Sequence, residues 1–265
     1  MGQVVHTLPE DEPVWAVTSL DDEVYVLRDK ESDQLEVYDV INYRLQRCLT
    51  VPNIRGLADM TSCERYRCLY IGDHIVECIH RLERHGKRTW WAVNDKPFGI
   101  SVNGPNGLHN VLVTCGRVRK IKEFSSHGHL LRELPLPDDI IAPLHAIQTR
   151  DGEFIVCHGF LGDDVHRVCK ISAGGRHIIQ SHGGQPGSDT GQFNGPRHLA
   201  VDNNEFVFVA DVVNRRVTLL SPMLDYVRQV VSPEDLKGEP DSLYMDIQRQ
   251  RLYVTTGGRV VVFIV

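Results

Sequence analysis

Apolar and polar positions alternate along this chain in short runs, and the runs recur. The run "PRHLAV" at 196 has counterparts in "PVWAVT" at 13, "IRGLAD" at 54, "PFGISV" at 97, "PLHAIQ" at 143 and "PDSLYM" at 240. Five of the six begin with proline, and successive starts lie 41, 43, 46, 53 and 44 residues apart. Each is followed by a second β-rich run, such as "CLYIGD" from Cys68, "VLVTC" from Val111 and "VFVAD" from Val207. Third runs follow, four of them opening with Arg-Val at Arg117, Arg167, Arg216 and Arg259, and then fourth runs such as "RTWWAV" and "YVRQVV". Turns such as "RHGK", "SHGH" and "AGGR" separate third from fourth runs, with glycine free to adopt positive φ. No segment carries the 3.6-residue periodicity of a long helix.

Four short strands per repeat of 40 to 50 residues predict an all-β chain, a six-bladed β-propeller of four-stranded blades. The sixth unit ends one strand short at Val265, while "QVVHTLP" near the N-terminus belongs to no unit. Residues 3–9 are therefore predicted to complete the last blade and close the ring, covering edge strands that would otherwise invite association. The whole chain, 1–265, reads as one such domain, with blades starting near 13, 54, 97, 143, 196 and 240.

The stretch "GGQPGSDTGQFNGPRHLAVDNNEFVFVADVVNRRVTLLSP" resembles an NHL repeat, matching its pattern at Gly191, Phe193, Pro196, Val209, Asp211, Asn214, Arg216 and Val217. The resemblance is strong in the fifth unit, partial in the third, fourth and sixth, and weak in the first two. It implies a six-bladed propeller serving mostly as a recognition platform; some members bind RNA, and one divergent branch is a peptide-amidating lyase. The glycines of "GQPGSDTGQF" lead into a strand with no lysine nearby, so this is a connector between blades and not a phosphate loop. Asp211 and Asn214 are assigned to turn capping. Arg216 recurs across repeats too regularly for a catalytic group and is assigned to tying neighbouring blades.

Composition is that of an ordinary globular chain, with 42% hydrophobic and 24% charged residues. No apolar run is long enough to span a bilayer, and the N-terminus lacks the basic and apolar regions of a secretory signal, so a cytoplasmic location without membrane contact is expected. The seven cysteines form no paired framework and are read as reduced thiols; Cys63 and Cys68 have metal-like spacing, but no second pair accompanies them.

The net charge of −6 disfavours nonspecific nucleic-acid binding by the whole surface. Charge is unevenly spread: residues 54–134 carry 13 basic and 8 acidic side chains, and the flanking regions are acidic. "HRLERHGKRTWW" and "GRVRKIKEF" combine cations with aromatics, which makes Arg84, Lys87, Arg88, Arg119, Lys120 and Lys122 the candidates for an alternative reading as an RNA-binding propeller. At least one of Trp90 and Trp91 should pack between blades.

In lyase-type relatives, the resemblance implies zinc-binding histidines directly after the opening proline. The corresponding positions here are Val14, Arg55, Phe98, Leu144, Arg197 and Asp241, with no histidine among them. His145 and His198 stand one residue later, where strand alternation should turn them to the other face, into packing or hydrogen-bonding roles. Of the six positions only Asp241 is acidic, which argues against a channel calcium site. With no recognisable catalytic set either, the chain is expected to be no enzyme and to need no metal or cofactor, a channel-centred hydrolase or lyase being the remaining alternative. The leading expectation is a monomeric protein-interaction scaffold, binding its partner at the channel rim through Trp15, Arg55, Phe98, Arg197 and His198.

Overall fold

The computed structural model describes residues 2–9, 12–28, 34–51, 54–103 and 108–265. Six antiparallel four-stranded sheets are arranged as a propeller. The innermost strands are Val14–Leu20, Leu57–Cys63, Pro97–Val102, Pro143–Gln148, Pro196–Val201 and Pro240–Asp246. Each touches the next around the ring, and the sixth touches the first. The one helix among the described residues is the single turn Pro233–Leu236, started by a capping box in which Ser232 and Asp235 exchange hydrogen bonds.

Closure follows the prediction. Gln3–Thr7 forms the outer strand of the sixth blade, antiparallel to Arg259–Ile264, with Gln3 opposite Ile264 and Thr7 opposite Val261. Beyond it Leu8 is fully buried, and its N–H donates to the Val260 carbonyl. Arg28, at the end of the second strand of blade one, locks this join. Its guanidinium donates to the carbonyls of Pro9, Glu12 and Gly258 while its Nε pairs with Glu36 at 2.7 Å.

The core is not one mass but six layers, each between adjacent blades. Period-two alternation produces this arrangement, because a blade must be apolar on both faces. In blade five, Val207 and Val209 pack toward blade four with Ile155, Val168 and Phe193, whereas Phe208 and Ala210 pack toward blade six with Leu243, Leu252 and Val261. Trp91 lies between blades two and three against Tyr70 and Phe124, and its neighbour Trp90 is 64% exposed.

The glycine-rich segment is a connector between blades four and five. Gly183, Gly191 and Gly195 adopt φ of 101°, 93° and 77°, which side chains rarely tolerate, and Phe193 anchors the segment in the core. Arg216 donates to the connector carbonyls of Ser188 and Gln192 and pairs with Asp211 at 2.7 Å. Asn214 joins the same network through Gly187 and Asp211. Arg167 plays the equivalent part at the blade three to four connector, through the Asp139 carbonyl. In blade three the third strand begins at Lys120, so Arg117 falls in a turn and not at a strand start as the Arg-Val repeat suggested.

Candidate functional site at the channel mouth

Every inner strand opens with a break in pairing. The irregularities fall between Val14 and Ala16, Leu57 and Met60, Pro97 and Gly99, Pro143 and His145, Pro196 and His198, and Pro240 and Leu243. Such bulges re-aim side chains and suspend simple alternation. The bulged residues Trp15, Phe98, Leu144, Arg197 and Asp241 therefore converge on one cavity at the channel mouth, of about 430 Å³, shared with Asp59, His74, Phe160 and His198.

Pairing also corrects the alignment of the first two repeats. Val14 opposes Arg28 as Pro196 opposes Asp211, so Trp15 corresponds to Arg197. Leu57 opposes Asp73, and Met60 opposes Ile71 as Leu199 opposes Val209, so blade two opens three residues later than "IRGLAD" suggested. Asp59 thereby takes the place of His198 in the ring.

Asp59, His145 and His198 meet near the channel axis, all buried. The imidazoles stack with centroids 3.8 Å apart, and His198 Nε2 lies 3.2 Å from both Asp59 oxygens. His145 Nε2 is 3.7 Å from Asp59 Oδ2 and 3.3 Å from the Ile100 carbonyl. Asp59 also accepts the N–H groups of Met60 and Ile100, both at 2.8 Å. Gly99, one blade over, makes room for this meeting: a Cβ there would stand 2.5 Å from the Leu144 carbonyl and 2.6 Å from the His145 ring. The expectation that alternation would carry both histidines away from the position before them is corrected for His198, which lines the same cavity as Arg197, and agrees with His145, which is absent from the lining that Leu144 joins. Their hydrogen-bonding role holds.

The three donor atoms lie within 4.8 Å of one another, close enough to suggest a metal centre. The partners of the two imidazole rings do not fit one. A metal-bound imidazole donates its other ring N–H to an acceptor, but His198 Nδ1 accepts the Leu243 N–H at 3.3 Å, so the proton resides on Nε2 and points at Asp59. The buried His145 Nδ1 has no hydrogen-bond partner among the described residues, hence no acceptor for such a proton. The cluster is a hydrogen-bonded hub joining blades two, three, four, five and six.

Its electrostatics agree. Burial disfavours charge on Asp59, but the hydrogen bonds it accepts from His198 Nε2–H and the Ile100 N–H hold its carboxyl below the ordinary range. Burial pushes His145 down to about 3, leaving it a neutral imidazole near neutrality.

Four of the five predicted rim residues line the cavity. Trp15 is half-buried, with its indole N–H unpartnered among the described residues; Phe98 is 42% exposed; Arg197 forms an ion pair with Asp241 at 2.8 Å; His198 sits deeper, at 9% exposure. Arg55 is exposed but absent from the lining, its backbone N–H donating to Asp73 at 2.6 Å. Asp59 and Phe160 were missed by the sequence reading.

The basic sector is largely neutralised internally. Arg84 pairs with Asp21 at 2.6 Å, Lys120 with Glu133 at 2.7 Å and Arg119 with Asp138 at 3.3 Å. Lys122 is only 7% exposed, its ammonium donating to the Val93 carbonyl. Lys87 is exposed, and Arg88 is half-buried with a partner. These six therefore do not form a free cationic face.

No family model matches the chain, and no curated protein matches its sequence. Solved structures do resemble it. Virginiamycin B lyase from Staphylococcus aureus aligns over 100% of both chains at 12% identity and a TM-score of 0.66. A catalytically inactive variant of that lyase with quinupristin aligns over 100% of this chain and 98% of its own at 11% identity and 0.68. The WD40 β-propeller domain of Doa1 aligns over 99% of this chain and 96% of its own at 12% identity and 0.66. At such identities the likeness establishes the fold, a six-bladed β-propeller whose solved neighbours differ in function. It also overturns one expectation: lyases are built on this ring across its full length, so lack of a recognisable catalytic motif is no ground for calling the chain a non-enzyme. That exclusion is withdrawn.

Proposed function

We propose that this protein is a recognition propeller of NHL type that engages a protein partner at the channel mouth. The observation that carries this reading is the convergence of bulged residues from five blades on a single cavity, where Trp15, Phe98 and Arg197 are of the types that dominate binding hot spots. Phe98 and Phe160 remain about half exposed there, although the blades bury comparable side chains elsewhere. Truncating two such residues typically costs about 2 kcal/mol or more of binding energy. Phe98→Ala combined with Arg197→Ala should abolish partner capture while leaving the melting transition near that of the parent. Undiminished capture by this double variant would rule out the mouth as the site.

The Asp59–His198 pair lining the same cavity favours one second reading, acid–base catalysis at the channel. It is tested by incubating the chain with virginiamycin B or quinupristin and following conversion by mass spectrometry, with His198→Gln as control. Conversion that depends on His198 would establish it.

A further inference from the structure

The mouth has a charge pattern that selects the chemistry of its occupant. Asp59 is a buried carboxylate whose three described donors, the Met60 and Ile100 N–H groups and His198 Nε2–H, are all formally neutral when His198 Nδ1 accepts from Leu243. The other charges of the lining, Arg197 and Asp241, satisfy one another. Among the described residues, the lining therefore retains at its floor one carboxylate with no cationic partner.

Above that floor the walls are aromatic and aliphatic: Trp15, Phe98, Phe160 and Leu144. The faces of aromatic rings are electron-rich and attract cations, most strongly where water is partly excluded. A carboxylate or phosphate entering here would meet Asp59, and a neutral apolar group would leave its field unused. A cation with an apolar stem satisfies both walls and floor, and a cavity of about 430 Å³ accommodates such a side chain.

We propose that the group seated in the mouth is a primary ammonium on an aliphatic stem, the lysine side chain of a protein partner, held over Asp59 by Trp15, Phe98 and Phe160. This rests on the reading of the mouth as a protein-recognition site and names the anchor that site takes. The ion pair between Arg197 and Asp241 then serves as a polar edge, keeping the arginine charge directed away from the incoming cation.

The test uses the full chain labelled with nitrogen-15, following the indole N–H of Trp15, assigned by its loss in Trp15→Phe. The probes are N-acetyl-lysine methylamide, its norleucine and glutamate counterparts, and leucine methylamide, which carries its ammonium on the main chain. The lysine probe should bind about tenfold more tightly than the norleucine probe, and Phe98→Leu with Phe160→Leu should reduce that preference about fivefold. Asp59→Asn should abolish the preference without weakening the norleucine probe; if that variant fails to fold, the phenylalanine pair still decides. Equal binding of norleucine, tighter binding of glutamate, or preference for leucine methylamide would overturn the lysine assignment. Partner capture separates the two levels. Capture lost in Phe98→Ala/Arg197→Ala with no ammonium preference refutes the cation alone, whereas ammonium preference with capture unaffected refutes protein recognition at the mouth.

Discussion

Acidification should destabilise this propeller well above the pH at which carboxylates titrate, and two buried histidines set the size of the effect. Burial lowers His145 to about 3; burial, aided by Arg167, lowers His158 to about 4. In the unfolded chain each returns to about 6.5. Between the folded and unfolded values the unfolded chain binds the extra proton, so stability rises with pH across this window and is lost as pH falls. Working the linkage from about pH 7 to about pH 5 gives roughly 2 kcal/mol lost per histidine, or about 4 kcal/mol for the two. Asp59 acts in the same direction at lower pH: its depressed carboxyl contributes stability that is present above the unfolded value of about 3.9 and lost as pH falls through the folded one. The assay is urea unfolding of the parent, His145→Gln and His158→Gln at both pH values. Each variant will be less stable near neutrality, but its loss on acidification should be smaller than the parent's by about 2 kcal/mol. Variants and parent losing stability in parallel would refute the claim that these imidazoles are held neutral.

Deleting residues 2–9 should strip the outer strand from blade six, expose the site of Leu8 and leave Arg28 without the Pro9 carbonyl; a loss of at least about 3 kcal/mol in chemical unfolding is expected, and unchanged stability would show that the ring closes otherwise. Gly99→Ala should cost about 1–3 kcal/mol by forcing the new methyl against the Leu144 carbonyl and His145, and should shift the His145 ring signals in NMR. A variant that melts like the parent would show that His145 need not cross blade three.

The ring and its closure were legible because blade periodicity depends on local pattern: proline starts, two-sided apolar strands and turn glycines are written residue by residue. The alignment of blades one and two was less so. Blade two has no opening proline to mark its start at Leu57, which leaves "IRGLAD" three residues ahead of its structural place. Asp59 was missed for that reason, although the small residues Ala16 and Gly99 at equivalent ring positions signalled space for larger partners on other blades. The basic sector misled in a different way. Counting charges along the chain cannot show that Lys122 is buried beneath the Val93 carbonyl or that Lys120 faces Glu133 across a strand pair. Those partners are fixed by sheet register, which a one-residue slip would reverse.

The central claim is that the channel mouth is where this protein meets its partner, and amide hydrogen exchange of the full chain, alone and saturated with a captured partner, tests it most directly. Protection on binding should concentrate around Val14–Trp15, Phe98–Gly99, Leu144–His145, Arg197–His198 and Asp241–Ser242, the openings of five inner strands that share one cavity. Protection confined to the outer strands, such as Arg88–Ala92 and Leu130–Pro135, or to the opposite end of the channel around Ser62, Gln148 and Tyr244, would contradict it.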